Sequence, residues 1–219
     1  MRLEASLLAP SMRALTAAAM LLAAGPSLAT TKGLSQIVTP EVQSEGDLSL
    51  SFQAQARHIG NPWQAQAELG VTPWLEVAAF QGFDPKEGIF GAELALVQKD
   101  PWLLSTGFVN WSTKGDDPQP FLEGAWYGQH SKPIAGAIVV DHHLQALLGY
   151  AYDFNDTWRA QVDYQSGSDN FFTFGVTWTP SRSFQMNPAV YFSNDGNHRA
   201  FGYIVMSYTL PMWHAHEKK

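Results

Sequence analysis

Serine and histidine are the residues from which a nucleophilic site would have to be built in this chain, because it contains no cysteine. A hydroxyl nucleophile needs an imidazole within hydrogen-bonding reach and a polar group that orients the imidazole. Asp141-His142-His143 offers the imidazoles, and Ser131 or Ser105 the hydroxyl. Neither serine stands at a spacing that marks a nucleophile, and a histidine pair beside an aspartate is an ordinary turn composition. The same residues raise a metal question. Consecutive strand residues point to opposite faces, so His142 and His143 share one ion only if they lie in a turn. His214-Ala215-His216 sits in a charged tail that reads as solvated chain. The expectation is therefore no catalytic residue, no metal site and no cofactor.

A second set of charged residues recurs on one face of alternating segments: Arg57, Glu68, Glu76, Glu93, Glu123, Arg159 and Asp163. If the apolar face of each segment meets lipid, this face lines a lumen. Acids then outnumber bases, and such a wall favours cations among the solutes that pass. The plainer interpretation is a closed interior in which Arg–Glu pairs and glutamines satisfy one another. Lumen width grows with strand number, from a filled interior at about eight strands to an open channel at about sixteen. Twelve lies between. Whether the loop 112–120, with Asp116 and Asp117, folds inward as a constriction stays open as well.

The elements that would position these residues are strands. Leu48, Leu50, Phe52, Ala54 and Ala56 alternate with Ser49, Ser51, Gln53, Gln55 and Arg57, and a period of two over ten residues predicts a strand. The pattern recurs in twelve segments, at 47–57, 63–71, 74–81, 89–97, 103–111, 121–129, 134–140, 144–152, 158–166, 171–179, 184–193 and 200–209. Ten strands follow instead if 134–152, whose first part is nearly continuous apolar, forms no pair. Short links (Thr72-Pro73, 98–101, 153–157, 180–183) alternate with longer ones (82–88, 112–120, 194–199). That pattern matches outer-membrane barrels, whose short turns face the periplasm. The predicted fold is all-β, an up-and-down antiparallel transmembrane β-barrel. Trp63, Trp74, Trp102, Trp111, Trp126, Trp158 and Trp178 stand at segment ends, where an aromatic girdle at the two membrane boundaries belongs. A soluble periplasmic barrel or sandwich has the same period, with the faces inverted.

Composition bounds the remainder. Arg13 precedes the apolar run Ala14–Ala24, and Gly25-Pro26 and Ser27-Leu28-Ala29 follow, which predicts a signal peptide over 1–29. Met12 is an alternative start to Met1. The apolar run is shorter than the ~20 residues of a spanning helix. The remaining 190 residues carry 11 basic and 19 acidic side chains, a net charge of −8. Nucleic-acid binding needs clustered bases, so it is not expected. Without cysteines there are no disulfides, and closing a sheet on itself is another way for an exported chain to leave no unpaired edge. The expected organisation is a signal peptide (1–29), a periplasmic lead-in (30–46), the β-barrel (47–210) and a C-terminal tail (211–219).

The stretch Gly33-Leu34-Ser35-Gln36-Ile37-Val38-Thr39-Pro40-Glu41-Val42, followed by Gly46, Leu48 and Leu50, resembles the opening of exopolysaccharide-associated outer-membrane barrels. The turn Tyr152–Trp158 leading into Arg159–Tyr164 is similar to periplasmic turns of small bacterial barrels. These resemblances imply compartment and fold and carry no site residue. Twelve-stranded outer-membrane phospholipases resemble the chain in strand count, but no serine–histidine spacing here matches theirs. Outer-membrane proteins often end on an aromatic residue in the last strand. Here Tyr203, Val205 and Tyr208 are followed by Pro211-Met212-Trp213 and six further residues. The reading that follows is an outer-membrane barrel acting as a narrow, weakly cation-preferring diffusion channel for small solutes. Its surroundings would be outer-membrane lipid and envelope protein partners. The alternative is a closed structural or partner-binding barrel, with polysaccharide export as one setting.

Overall fold

Backbone N–H and C=O groups inside hydrocarbon must all be paired, and a strand between lipid and a polar lumen must alternate in character. The protein meets both demands in a computed structural model that describes residues 33–197 and 199–213. Twelve strands form in chain order: β1 (Asp47–Gln55), β2 (Trp63–Thr72), β3 (Leu75–Phe83), β4 (Lys86–Lys99), β5 (Trp102–Ser112), β6 (Gln119–Trp126), β7 (Ser131–Val140), β8 (His143–Asp153), β9 (Trp158–Gln165), β10 (Phe171–Ser181), β11 (Phe184–Ser193) and β12 (Ala200–Pro211). Each pairs antiparallel with its neighbour in sequence, and β1 closes on β12 from Asp47↔Pro211 to Gln55↔Tyr203. The result is a closed up-and-down barrel without a free edge. No helix among the described residues is long and apolar enough to cross a membrane, which says nothing about strands.

The ten-strand alternative does not arise. β7 and β8 pair in full register from Ser131↔Tyr152 to Val140↔His143, around a two-residue turn. Asp141 and His142 both have positive φ, 49° and 65°, as a type I′ hairpin turn requires. Asn, Asp and His are the non-glycine residues that enter this region most often. One link differs from expectation. The stretch 82–88 is not a long loop but a tight turn at Asp84-Pro85, because β3 and β4 stay paired out to Phe83↔Lys86.

Facing follows the alternation. Leu50, Phe52, Val77, Phe90, Leu122, Leu148, Phe172 and Phe174 point outward and are exposed, while Gln53, Gln64, Gln66, Gln161 and Thr173 point inward and are buried. A soluble barrel needs the reverse. One arc of the interior is apolar: Ile134, Ile138 and Val140 of β7, Leu147 and Ala151 of β8, and Val109, Phe121 and Ala125 of β5 and β6 form a buried cluster. The near-continuous apolar run of β7 therefore has a cause, since both of its faces are apolar.

The tryptophans sit at strand ends on the outer surface, unevenly between the two rims. Trp74, Trp102, Trp126, Trp158 and Trp178 mark the rim of short turns, where Trp102 pairs with Trp126 and Trp158 stacks on Trp178 at 6.1 Å. Trp63 and Trp111 mark the loop rim. An arginine at the centre of the outer face should cost about 2–4 kcal/mol in lipid. Leu50→Arg and Val162→Arg are thus expected to lower the fraction of folded barrel in membranes, read as the band that shifts on unheated gels. Unchanged yield for both would contradict the outward facing of β1 and β9.

Candidate functional site

The interior gathers most of the charged residues singled out from the sequence. Glu68 (β2), Glu76 (β3), Glu93 (β4), Glu123 (β6) and Asp163 (β9) all face inward and are buried. Strand register brings four of them into one arc. Glu76 lies opposite Gly70 on one side and opposite Glu93 on the other, Glu93 lies opposite Gly107, and Ser105 lies opposite Glu123. Asp163 stands across the lumen between Gly149 and Thr173. Its Oδ1 accepts the Thr173 hydroxyl hydrogen bond at 2.7 Å.

The two arginines assigned to the same wall do not join the arc. Arg57 lies beyond the end of β1, because the strand stops at Gln55, and it pairs with Asp84 in the β3–β4 turn at the loop rim. This corrects its placement in the lumen. Arg159 does face inward, at the mouth on the short-turn side, where its Nε donates to Asp153 Oδ1 at 2.6 Å. Lys132, which precedes the apolar run of β7, meets the same carboxylate at 3.0 Å. The positive charge of the interior is thus concentrated at one mouth around Asp153.

The space between these walls is taken by the chain's own residues 33–46. The sequence placed them as a polar lead-in outside the barrel; instead Leu34 to Thr39 are buried within it. Gly33 and Val38 form an antiparallel bridge, closed by a Leu34 N–H to Ile37 C=O hydrogen bond of 3.0 Å, so the segment enters as a small hairpin. Its apolar side chains Leu34, Ile37 and Val38 pack on the β5–β8 cluster. Its polar backbone faces the other wall. Asp163 Oδ2 accepts from the Ser35 N–H at 2.7 Å and the Gln36 N–H at 3.2 Å. Asn187 Nδ2 donates to the Leu34 carbonyl at 2.7 Å, Tyr191 donates its hydroxyl to the Ser35 carbonyl, and Gln161 Nε2 donates to Ser35 Oγ at 3.1 Å. Nearer the short-turn mouth, the Gln43 N–H meets Glu76 Oε2 at 2.5 Å.

Two strand glycines make this seat. A side chain at Gly149 would place its Cβ 2.7 Å from Leu34 Cδ1 and 2.9 Å from Ile37 Cδ1, and one at Gly175 would collide with Ser35 Oγ. Glycine inside a strand commonly marks such a close approach. These glycines and the apolar run of β7 were the available signals for a filled lumen.

At the short-turn mouth, Tyr127 joins the segment to the wall. Its hydroxyl donates to Glu41 Oε2 at 3.3 Å, and the Lys132 ammonium lies over its ring at 4.7 Å. Burial, followed by the neighbouring Glu41 carboxylate, raises the Tyr127 phenol above its ordinary value.

The serine–histidine candidates are not brought together. Ser131 opens β7 at the short-turn rim and bonds to Tyr150, whereas His142 and His143 lie at the opposite end of the same hairpin. Nine residue steps at ~3.3 Å each separate them. Ser105 is buried in the lumen wall, far from that turn along β5. Among the described residues no three His, Asp or Glu side chains are arranged to hold a metal. The tail histidines His214 and His216, the signal region 1–29 and most of the tail fall outside the described residues.

No family model and no curated protein matches the chain. Solved structures do. The KdgM porin in complex with disordered oligogalacturonate has a TM-score of 0.55 and 9% identity, covering 74% of this chain and 98% of that one. A second KdgM porin structure gives a TM-score of 0.52 with the same identity and coverage. The likeness is one of fold: a closed barrel of the outer-membrane porin type.

Asp163 is the principal acceptor for the segment backbone, and hydrogen bonds to charged groups contribute about 1.5–3 kcal/mol each. Asp163→Ala is expected to leave the barrel closed but loosen residues 33–43. A protease added on the short-turn side should then cut within them faster than in the unaltered protein. Equal cutting rates would remove Asp163 from this role.

Proposed function

We propose that the protein is a narrow, weakly cation-preferring diffusion channel of the outer membrane for small solutes. The observation that carries this reading is the arc of inward carboxylates, Glu68, Glu76, Glu93 and Glu123 with Asp163 opposite, in a barrel of the porin fold. Fixed charge on a low-dielectric wall raises the local concentration of counter-ions along the path. The bases Lys132 and Arg159 both engage Asp153, so they offset the acids only at one mouth. The KdgM neighbour was solved with oligogalacturonate, a polyanion. A carboxylate-lined lumen disfavours such a solute, and cationic or neutral solutes are the class it suits. The tryptophans at both rims act as the girdle that sets the barrel's depth in the bilayer. Residues 1–29 serve as the export signal.

The filled lumen favours a second reading, a closed barrel that passes no solute and serves an envelope partner. The resemblance of Gly33–Val42 to exopolysaccharide-associated barrels suggests polysaccharide export as its setting.

Conductance of the folded protein in a planar bilayer under a salt gradient separates the two readings. The channel gives discrete openings with a reversal potential on the cation side, and Glu93→Gln with Glu123→Gln moves that potential toward zero. An unchanged potential in the double variant would remove the acids from selectivity. Permanent silence from protein shown to be folded would favour the closed barrel.

A further inference from the structure

The contacts that hold residues 33–38 are those by which a protein binds an extended peptide. Two main-chain N–H groups, of Ser35 and Gln36, are met by one carboxylate, Asp163. Two main-chain carbonyls, of Leu34 and Ser35, are met by side-chain donors, Asn187 and Tyr191. Gly149 and Gly175 leave room for the Leu34, Ile37 and Ser35 side chains, so that the segment can lie close against the wall. The side chains of Leu34, Ile37 and Val38 pack by shape on the Ile134–Leu147 wall, and those of Ser35 and Gln36 meet Gln161 and Gln165. We propose that this wall is a main-chain recognition site, that residues 33–38 fill it as a releasable internal ligand, and that an extended peptide arriving from the short-turn side competes for it. The proposal rests on the channel reading, since release of the segment is what would open the lumen.

Three features distinguish a releasable ligand from a permanent core. The hairpin's own bridge, Gly33↔Val38, is internal, and the strand ladder of the barrel closes through β1 and β12 without it. The described backbone bonds that tie the segment to the barrel lie at its base, where Gly46 N–H meets the Gly70 carbonyl at 2.9 Å. Withdrawal therefore breaks no strand pair. Finally, the fit is incomplete: Gln36 Oε1 and Asn187 Oδ1 are buried without hydrogen-bond partners along this contact.

The chain has no cysteine, so a pair introduced by Ser35→Cys with Gly175→Cys carries the only thiols. The two positions are in contact, and oxidation should pin the hairpin to β10. In the same full-length variant, oxidation is expected to reduce channel openings at least about tenfold, and reduction to bring them back. Independently, Asp163→Asn should raise the opening frequency about tenfold, the ratio that loss of one charge-assisted hydrogen bond implies. A synthetic peptide of residues 33–42, added on the short-turn side, should shorten the openings of the unaltered protein. The same peptide methylated on the nitrogens of Ser35 and Gln36, which removes the donors to Asp163, should not. If oxidised and reduced forms conduct alike, the segment does not close the lumen, and the proposal falls while the channel reading stands. If the two peptides act equally, main-chain recognition by Asp163 is overturned. If folded protein is silent in every form, the channel reading falls with the proposal.

Discussion

Hydrocarbon offers no partner to a backbone N–H or C=O, so a sheet in a membrane survives only when it closes on itself. The β1–β12 seam accomplishes that, and much else follows from it. Both described ends of the barrel lie at one mouth, where Met212 N–H reaches the Gly46 carbonyl at 2.7 Å. Gly46 has a φ of 82°, and any side chain there would strike the Trp213 carbonyl, so the seam needs glycine at that corner. Closure also supplies, without a cysteine, the long-range constraint that an exported chain often takes from disulfides.

A twelve-stranded circumference leaves a lumen wider than its own side chains fill, and this barrel has two kinds of inner wall. The β5–β8 arc carries the larger apolar cluster, with a smaller one at Phe171, Tyr191 and Tyr203; carboxylates, Glu123 of β6 among them, and amides line the rest. The hairpin at 33–38 is amphipathic in the matching sense, with Leu34, Ile37 and Val38 on one side and a polar backbone on the other. Burying each such apolar side chain contributes about 1.5–3 kcal/mol. Each buried acceptor left without a donor costs about 1–3 kcal/mol. Three apolar side chains and two such acceptors, Gln36 Oε1 and Asn187 Oδ1, meet in the same contact, so opposing effects act on the segment's seat.

What the sequence made legible was whatever depends on period two. The strands other than β7, the outward apolar face and the inward acids follow from alternation, because reversal of facing at each residue is a property of the strand backbone itself. Occupancy of the lumen was not legible in that way. Residues 33–46 do not alternate, and polar composition alone cannot separate a solvated lead-in from a hairpin whose backbone is satisfied by Asp163, Asn187 and Tyr191. Arg57 was misplaced for a related reason: it continues the β1 alternation perfectly, but pairing stops two residues earlier. Lys132 was hidden by the apolar run that follows it. The longer loop expected at 82–88 failed because a composition rich in turn-forming residues fixes that a turn occurs, not how far the flanking strands remain paired.

The segment and the charge of the lumen are coupled. In the closed state Asp163 is met by two backbone N–H groups, and Glu41 lies beside Tyr127 at the mouth that holds Lys132, Arg159 and Asp153. Withdrawal would carry Glu41 away from that mouth and strip Asp163 of its donors. On the channel reading, the mouth on the short-turn side then becomes more positive and the middle of the lumen more negative. A cation that passes the short-turn mouth then meets Lys132 and Arg159, which Asp153 offsets in part. On that reading the same movement that opens the path also resets the charge a solute meets along it.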